Sequence, residues 1–241
     1  MKVINYLLGY KDLYIMQDSD LFNFSLDSVL LPNFITLNKK VKKIMDIGCG
    51  NAPIPLILST KTSAEIIGVE IQKESYDLAV ESIKYNNLSD QIKLINADIN
   101  DIYKDFKVGS FDIITCNPPY FKYCETSNIN SSDYKTIARH EITLNLEQLM
   151  NAAKYLLNNN GIVGIVHRPE RLSDIIISMR NNNIEPKRIQ FIHPQKNKEA
   201  NIVLVEGTKN GKPGLKVLHS IISHESNGEY SVDIKKYFEN N

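Results

Sequence analysis

The stretch Lys43-Ile44-Met45-Asp46-Ile47-Gly48-Cys49-Gly50-Asn51 decides the fold. An apolar, β-branched run ends on an acidic residue and passes at once into two glycines one residue apart. A strand that feeds such a turn and then a helix opens an α/β domain, and the glycines let a ligand approach the backbone at the carboxyl end of the strand. Six further runs read as strands, at residues 64–70, 92–95, 111–116, 162–167, 189–193 and 202–206. Between them, Tyr76, Val80, Ile83 and Asn87 recur at helical spacing, as do Leu144, Leu149, Ala152, Ala153, Leu156 and Leu157 up to a polar stop at 158–161. The last two strands are separated only by the polar segment 194–201, too short for a helical crossover, so they should be antiparallel neighbours. The pattern predicts a doubly wound α/β fold: a seven-stranded, mostly parallel sheet with one antiparallel strand. Residues 1–40, rich in Tyr and Phe, read as an extension covering the ligand face and residues 41–241 as the α/β domain, with Lys39, Lys40, Lys42 and Lys43 across the boundary.

Composition narrows the classes. The 241 residues carry 28 basic and 28 acidic side chains, which excludes a globally basic nucleic-acid coat, so a polyanion must meet a local patch. No apolar run approaches the ~20 residues of a spanning helix, and the first residues lack a signal-peptide core. The expectation is a cytoplasmic protein with no membrane contact. Cys49, Cys116 and Cys124 form no C-x-x-C pair and the five histidines form no H-E-x-x-H, so neither a disulfide framework nor a metal site is expected.

A dinucleotide fingerprint would need a third glycine where Pro53 stands, and Asp46, just before the turn, would repel a pyrophosphate. An acidic residue there suits an ammonium group. Glu70, ending the second strand, can accept from two ribose hydroxyls, and Asp98, after the third, from an adenine amine. One acidic residue at each of three successive strand ends is the arrangement expected for S-adenosylmethionine. Its contacts would be Asp46, Gly48, Cys49, Gly50, Asn51, Glu70, Ile71, Asp98, Ile99 and Asn117. The plainer alternative is capping by Asp46 and Asp98 and a surface Glu70.

The second motif, Asn117-Pro118-Pro119-Tyr120, follows the fourth strand. A planar exocyclic amine is a poor nucleophile because its lone pair is delocalised; two acceptors aimed at its hydrogens would localise that pair. The Asn117 side-chain oxygen and the Pro118 carbonyl can supply them. The prolines hold the backbone rigid, and Tyr120 offers a face on which an extruded base can stack, so no metal is required. The plainer alternative is a Pro-Pro turn with Tyr120 as packing. Cations that could meet a phosphate backbone or flank the base site are Lys39, Lys40, Lys42, Lys43, Lys122, Arg139, His140, Arg168 and Lys187, with Phe121 beside Tyr120. The stretch 206–214 has the wrong glycine spacing for a phosphate loop and reads as a hairpin turn.

Together these residues resemble a class I, Rossmann-like methyltransferase and, more narrowly, the bacterial tRNA(Val) adenine-N(6)-methyltransferase family. The narrower resemblance rests on Phe24-Ser25-Leu26-Asp27-Ser28-Val29-Leu30-Leu31, Cys116-Asn117-Pro118-Pro119-Tyr120-Phe121-Lys122, Ala138-Arg139-His140-Glu141, Val166-His167-Arg168-Pro169-Glu170-Arg171-Leu172 and Glu199-Ala200-Asn201. It implies methyl transfer from S-adenosylmethionine to the exocyclic amine of an adenine beside a tRNA anticodon. One departure is Ala52-Pro53, where the family would carry glycine and an aliphatic residue. Two rivals remain at this level: a protein glutamine methyltransferase using the same Asn117 and Pro118 acceptors, and a catalytically silent S-adenosylmethionine- or RNA-binding module.

Overall fold

The computed structural model describes residues 1–19, 25–118 and 144–239. Its strands are β1 (Lys2–Leu7), β2 (Tyr10–Asp18), β3 (Lys43–Ile47), β4 (Glu65–Glu70), β5 (Ile92–Asn96), β6 (Phe111–Cys116), β7 (Leu157–His167), β8 (Ile184–His193), β9 (Ile202–Lys209), β10 (Lys216–Val217) and β11 (Ile221–Ile222). Its helices are α1 (Leu26–Phe34), α2 (Pro53–Ser59), α3 (Lys73–Tyr85), α4 (Ile99–Ile102), α5 (Leu146–Leu156), α6 (Leu172–Asn181) and α7 (Val232–Glu239).

The seven long strands lie in the order β8-β9-β7-β6-β3-β4-β5, with β9 antiparallel to both neighbours and the rest parallel. This is the fold class that the sequence pattern predicts. The two-residue strands β10 and β11 add to the outer edge of β8, both parallel to it. The stretch 206–214 is therefore not a hairpin: β9 runs on through Lys209, and the chain then crosses to β10.

Strand alternation divides the core in two. Ile44, Ile66, Ile113, Val166 and Leu204 face α1, α2 and α3, while Met45, Ile67, Ile114, Val163 and Val205 face α5 and α6. Helix α5 starts on a capping box in which Asn145 and Gln148 exchange side-chain and backbone bonds. Among the described residues, no helix is long and apolar enough to cross a membrane.

Within the N-terminal extension, β1 and β2 form an antiparallel hairpin on α3. Asn86 locks it there: its Oδ1 accepts from Tyr14 N–H at 2.9 Å and its Nδ2 donates to Tyr14 O at 2.7 Å. Met16 N–H also donates to Ser82 Oγ at 2.9 Å. The buried line of α3 is thus Leu78, Ala79, Ser82 and Ile83, a quarter-turn from the line read from Tyr76 and Val80. Helix α1 leads into Ile35, which lies close against β7: a Cβ on Gly164 would sit 2.5 Å from Ile35 Cδ1. Just beyond, Thr36 donates its N–H and its hydroxyl to buried Glu206, at 2.7 and 2.9 Å. Arg188 donates to the same carboxylate at 3.1 Å while stacking on Phe34.

Candidate functional site

The carboxyl ends of β3, β4, β5 and β6 open into one cleft. Its floor is the glycine turn, clamped to β4 because Gly48 N–H and Cys49 N–H both donate to Val69 O, at 2.8 and 3.0 Å. Gly48 (φ 70°) and Gly50 (φ 57°) occupy the left-handed region, and a Cβ on either would meet nothing within 4 Å. The turn therefore presents bare backbone to open space, a cradle into which a ligand can settle. Ala52 (φ 71°) takes the same left-handed conformation, at a cost of about 1 kcal/mol that glycine would avoid. Pro53 follows as the first residue of α2, where its missing N–H is no loss.

Glu70 is 5% exposed, and its two oxygens accept from Gly50 N–H and Gln72 N–H, each at 2.8 Å. Burial pushes its pKa up, and the backbone bonds oppose that by favouring the carboxylate. A carboxylate offers about four lone-pair directions, so this side chain can brace the turn and still accept from a ligand. Asp98 caps α4, its Oδ1 accepting from Asn100 N–H and Nδ2 at 2.8 and 2.9 Å, and it lines the cleft as well. Capping and ligand binding are thus compatible at this residue.

Every residue read from the sequence as a cofactor contact lines this cleft except Asp46. Strand alternation explains the exception: Asp46 shares the face of Ile44 beneath the α1/α2 layer and is 0% exposed. Its Oδ1 accepts from Thr115 Oγ1 at 2.6 Å on the neighbouring strand, and its Oδ2 is buried with no partner. Burial pushes its carboxyl up to about 8. Asp46 thus ties β3 to β6 behind the cleft, and direct contact with an ammonium is not what its placement provides. Burial also raises the thiols of Cys49 and Cys116, keeping both protonated.

Asn117 and Pro118, just after β6, line the same cleft. Ser28 of α1, which the sequence reading did not assign a role, lines it too: Asn117 Nδ2 donates to Ser28 Oγ at 3.3 Å. Gln72, Ser75, Ala97 and Leu144 also line the cleft without having been read from the sequence. Among the described lining residues there is no Lys, Arg or His. Apolar walls with carboxylate acceptors and no cation suit a positively charged nucleoside and disfavour a pyrophosphate.

Of the expected substrate contacts, Pro119, Tyr120, Phe121, Lys122, Arg139 and His140 lie outside the described residues. Arg168 follows β7 at the cleft end of the sheet, its Nη1 donating to Asn201 O at 2.8 Å. The preceding His167 is buried, and burial together with Arg171 and Arg168 lowers its pKa to about 4. The lysine cluster is elsewhere. Lys39, Lys40 and Lys42 precede β3 and Lys43 opens it, roughly 16 Å of strand from the glycine turn. The backbone N–H groups of Lys42 and Lys43 donate to Asp112, and Lys43 pairs with Glu65 at 3.4 Å. Lys187 is on β8, three strands across the sheet from β6, with its Nζ on Lys212 O at 3.0 Å. The structure does not bring these lysines to the cleft.

A family model described as a methyltransferase domain matches residues 38–209. The tRNA1(Val) (adenine(37)-N6)-methyltransferase of Flavobacterium psychrophilum is 30% identical over 161 residues, 66% of this chain and 67% of that protein. The chain belongs to this methyltransferase family. A protein of the same description from Porphyromonas gingivalis is 31% identical over 166 residues, 67% of this chain and 64% of its own. Among solved structures, a predicted O-methyltransferase from Agrobacterium tumefaciens superposes with a TM-score of 0.69 at 19% identity, covering 88% of this chain and 96% of that one. That likeness concerns the fold alone.

Proposed function

We infer that the protein transfers a methyl group from S-adenosylmethionine to the exocyclic amine of an adenine in tRNA, next to the anticodon of a valine tRNA. The observation that carries this reading is that Asn117 and Pro118 line the same cleft as the glycine cradle and Glu70. An acceptor pair suited to a planar amine thereby shares one cleft with a cradle suited to a charged nucleoside.

S-adenosylmethionine, the cofactor, supplies a methyl group already electrophilic on its sulfonium. The protein's own part is placement. Gly48 and Gly50 admit the ligand against bare backbone, Glu70 accepts from its ribose hydroxyls, and Asp98 accepts from its adenine. Asn117 Oδ1 and Pro118 O would accept hydrogen bonds from the two amine hydrogens, turning the lone pair out of the ring plane; as the N–C bond forms the C–S bond breaks, S-adenosylhomocysteine leaves and one amine proton passes to solvent. Holding two reactants in line can remove roughly 7–11 kcal/mol of barrier, so geometry rather than acid–base chemistry carries the rate. Arg168, at the same end of the sheet, is a candidate to meet the tRNA backbone.

The test is transfer of labelled methyl from S-adenosylmethionine to total tRNA and to total protein, followed by nucleoside mass spectrometry. N(6)-methyladenosine in tRNA is expected. Label found in protein alone would replace this reading with methylation of a side-chain amide.

A further inference from the structure

An asparagine carboxamide has two ends of nearly equal shape and opposite hydrogen-bonding character. Only the oxygen can accept from a substrate amine; the NH2 end would set donor against donor. A site that relies on Asn117 Oδ1 therefore needs something to hold the NH2 end away from the substrate.

Ser28 Oγ occupies that position, accepting from Asn117 Nδ2 at 3.3 Å while only 4% exposed. It comes from a helix remote in sequence from β6 and fixed by contacts of its own. Its N–H donates to Ser25 O at 3.1 Å in the first turn of α1. The far end of α1 is held by the close approach of Ile35 to Gly164 and by the bonds joining Thr36, Glu206 and Arg188. The acceptor thus belongs to an element held by contacts separate from those of β6.

We propose that Ser28 is a positioning residue: it anchors the Asn117 NH2 group and so turns Oδ1 toward the substrate amine, making the N-terminal extension part of the catalytic arrangement. This rests on the reading of Asn117 as the amine acceptor.

The experiment compares the wild type with Ser28→Ala, Asn117→Ala and the double variant in single-turnover methylation of tRNA at saturating S-adenosylmethionine, with cofactor affinity measured by calorimetry. Losing one orienting hydrogen bond should slow Ser28→Ala about tenfold with cofactor affinity unchanged. The double variant should be no slower than Asn117→Ala, because Ser28 acts only through Asn117. A full rate in Ser28→Ala, or a further tenfold loss in the double variant, overturns the proposal. So does weakened cofactor binding with an unchanged saturated rate, which would make Ser28 a cofactor contact. If the wild type itself forms no methyladenosine, the functional reading fails rather than this contact. The contact is then judged by nuclear magnetic resonance on protein carrying 15N-asparagine, with the Asn117 NH2 pair assigned by its absence in Asn117→Ala. Ser28→Ala should shift that pair and speed its hydrogen exchange; an unmoved pair overturns the proposal whatever the reaction.

Discussion

Replacing Asp46 with asparagine isolates the energetic consequence of placing a carboxyl group inside the sheet. The side chain is wholly buried, one oxygen holds Thr115 Oγ1, the other has no partner, and burial, assisted by the charge of Glu70, lifts its pKa from 3.8 to about 8. Below 3.8 the group is protonated in folded and unfolded chains alike. Between 3.8 and about 8 the unfolded chain releases the proton while the folded one keeps it, so the folded state binds more protons and stability falls as pH rises. Above about 8 both are ionised and the penalty is constant. At about 1.4 kcal/mol per pH unit over an interval of roughly four units, the ceiling is about 6 kcal/mol; relaxation around the ionised carboxylate should reduce it to roughly 2–4 kcal/mol. Asparagine keeps the shape and an acceptor for Thr115 but does not titrate. The unfolding free energy of Asp46→Asn minus that of the wild type should therefore climb by that amount as pH rises from 3.8 to about 8. Urea denaturation followed by circular dichroism at half-unit pH steps measures it, and the subtraction removes the titrating groups that do not interact with Asp46. A flat difference curve, or one that climbs as pH falls, would refute the argument.

Other outcomes follow from the same geometry. His167, lowered from 6.5 to about 4, stays neutral in the fold, so its contribution is complete above 6.5 and is lost as pH falls through about 4. That loss should reach roughly 2–3 kcal/mol, and His167→Gln should flatten the acid limb of the stability curve. Glu70→Ala should weaken S-adenosylmethionine binding by about 1.5–3 kcal/mol in calorimetry, since a charge-assisted acceptor is lost; unchanged affinity would remove Glu70 from the cofactor map. Asn117→Ala should lower methyl transfer ~10²–10³-fold with cofactor affinity nearly intact, and near-normal turnover would end its role as acceptor. Glu206→Ala leaves Arg188 and the Thr36 donors without their carboxylate, and thermal unfolding should report a loss of about 3 kcal/mol.

The sheet was legible because its central strands are buried on both sides and punctuated sharply. β3 and β6 begin and end where their β-branched runs do, with Gly48 closing the first and Gly109-Ser110 opening the second. β7 was read five residues short. Its first turn of chain, Asn158-Asn159-Asn160-Gly161, is polar and loop-like, yet it stays in the sheet: Leu157 pairs with Phe111, and the register shift before Ile113 absorbs the left-handed Asn160. The N-terminal hairpin was missed for another reason. Val3-Ile4-Asn5-Tyr6-Leu7-Leu8 before Gly9 (φ 82°) is a strand-like run, but its apolar residues do not alternate, and five of the six β1 residues are exposed because the hairpin packs on α3 through β2 rather than β1.

The cleft was legible wherever chemistry and chain position coincide: the glycine turn, Glu70, Asp98 and Asn117 all lie at carboxyl ends of parallel strands, where such sheets bind ligands. That rule also bears on the residues found outside the cleft lining. Lys42 precedes and Lys43 opens a parallel strand, so topology alone places both at its amino end, away from the cleft at the carboxyl ends. Asp46 shares strand parity with Ile44, which fixes its face, but parity does not say which face the helices seal, and only the packing of the α1/α2 layer makes that carboxyl inaccessible. Ser28 lies beyond either kind of inference. It meets Asn117 across 89 positions of sequence, a contact with no period or spacing. What brings them together is the close approach of α1 and its C-terminal residues to β7, which needs a position without a side chain, Gly164, on a strand that contributes nothing else to the cleft. The Ser28–Asn117 contact thus depends on packing at a glycine that no chemical motif contains.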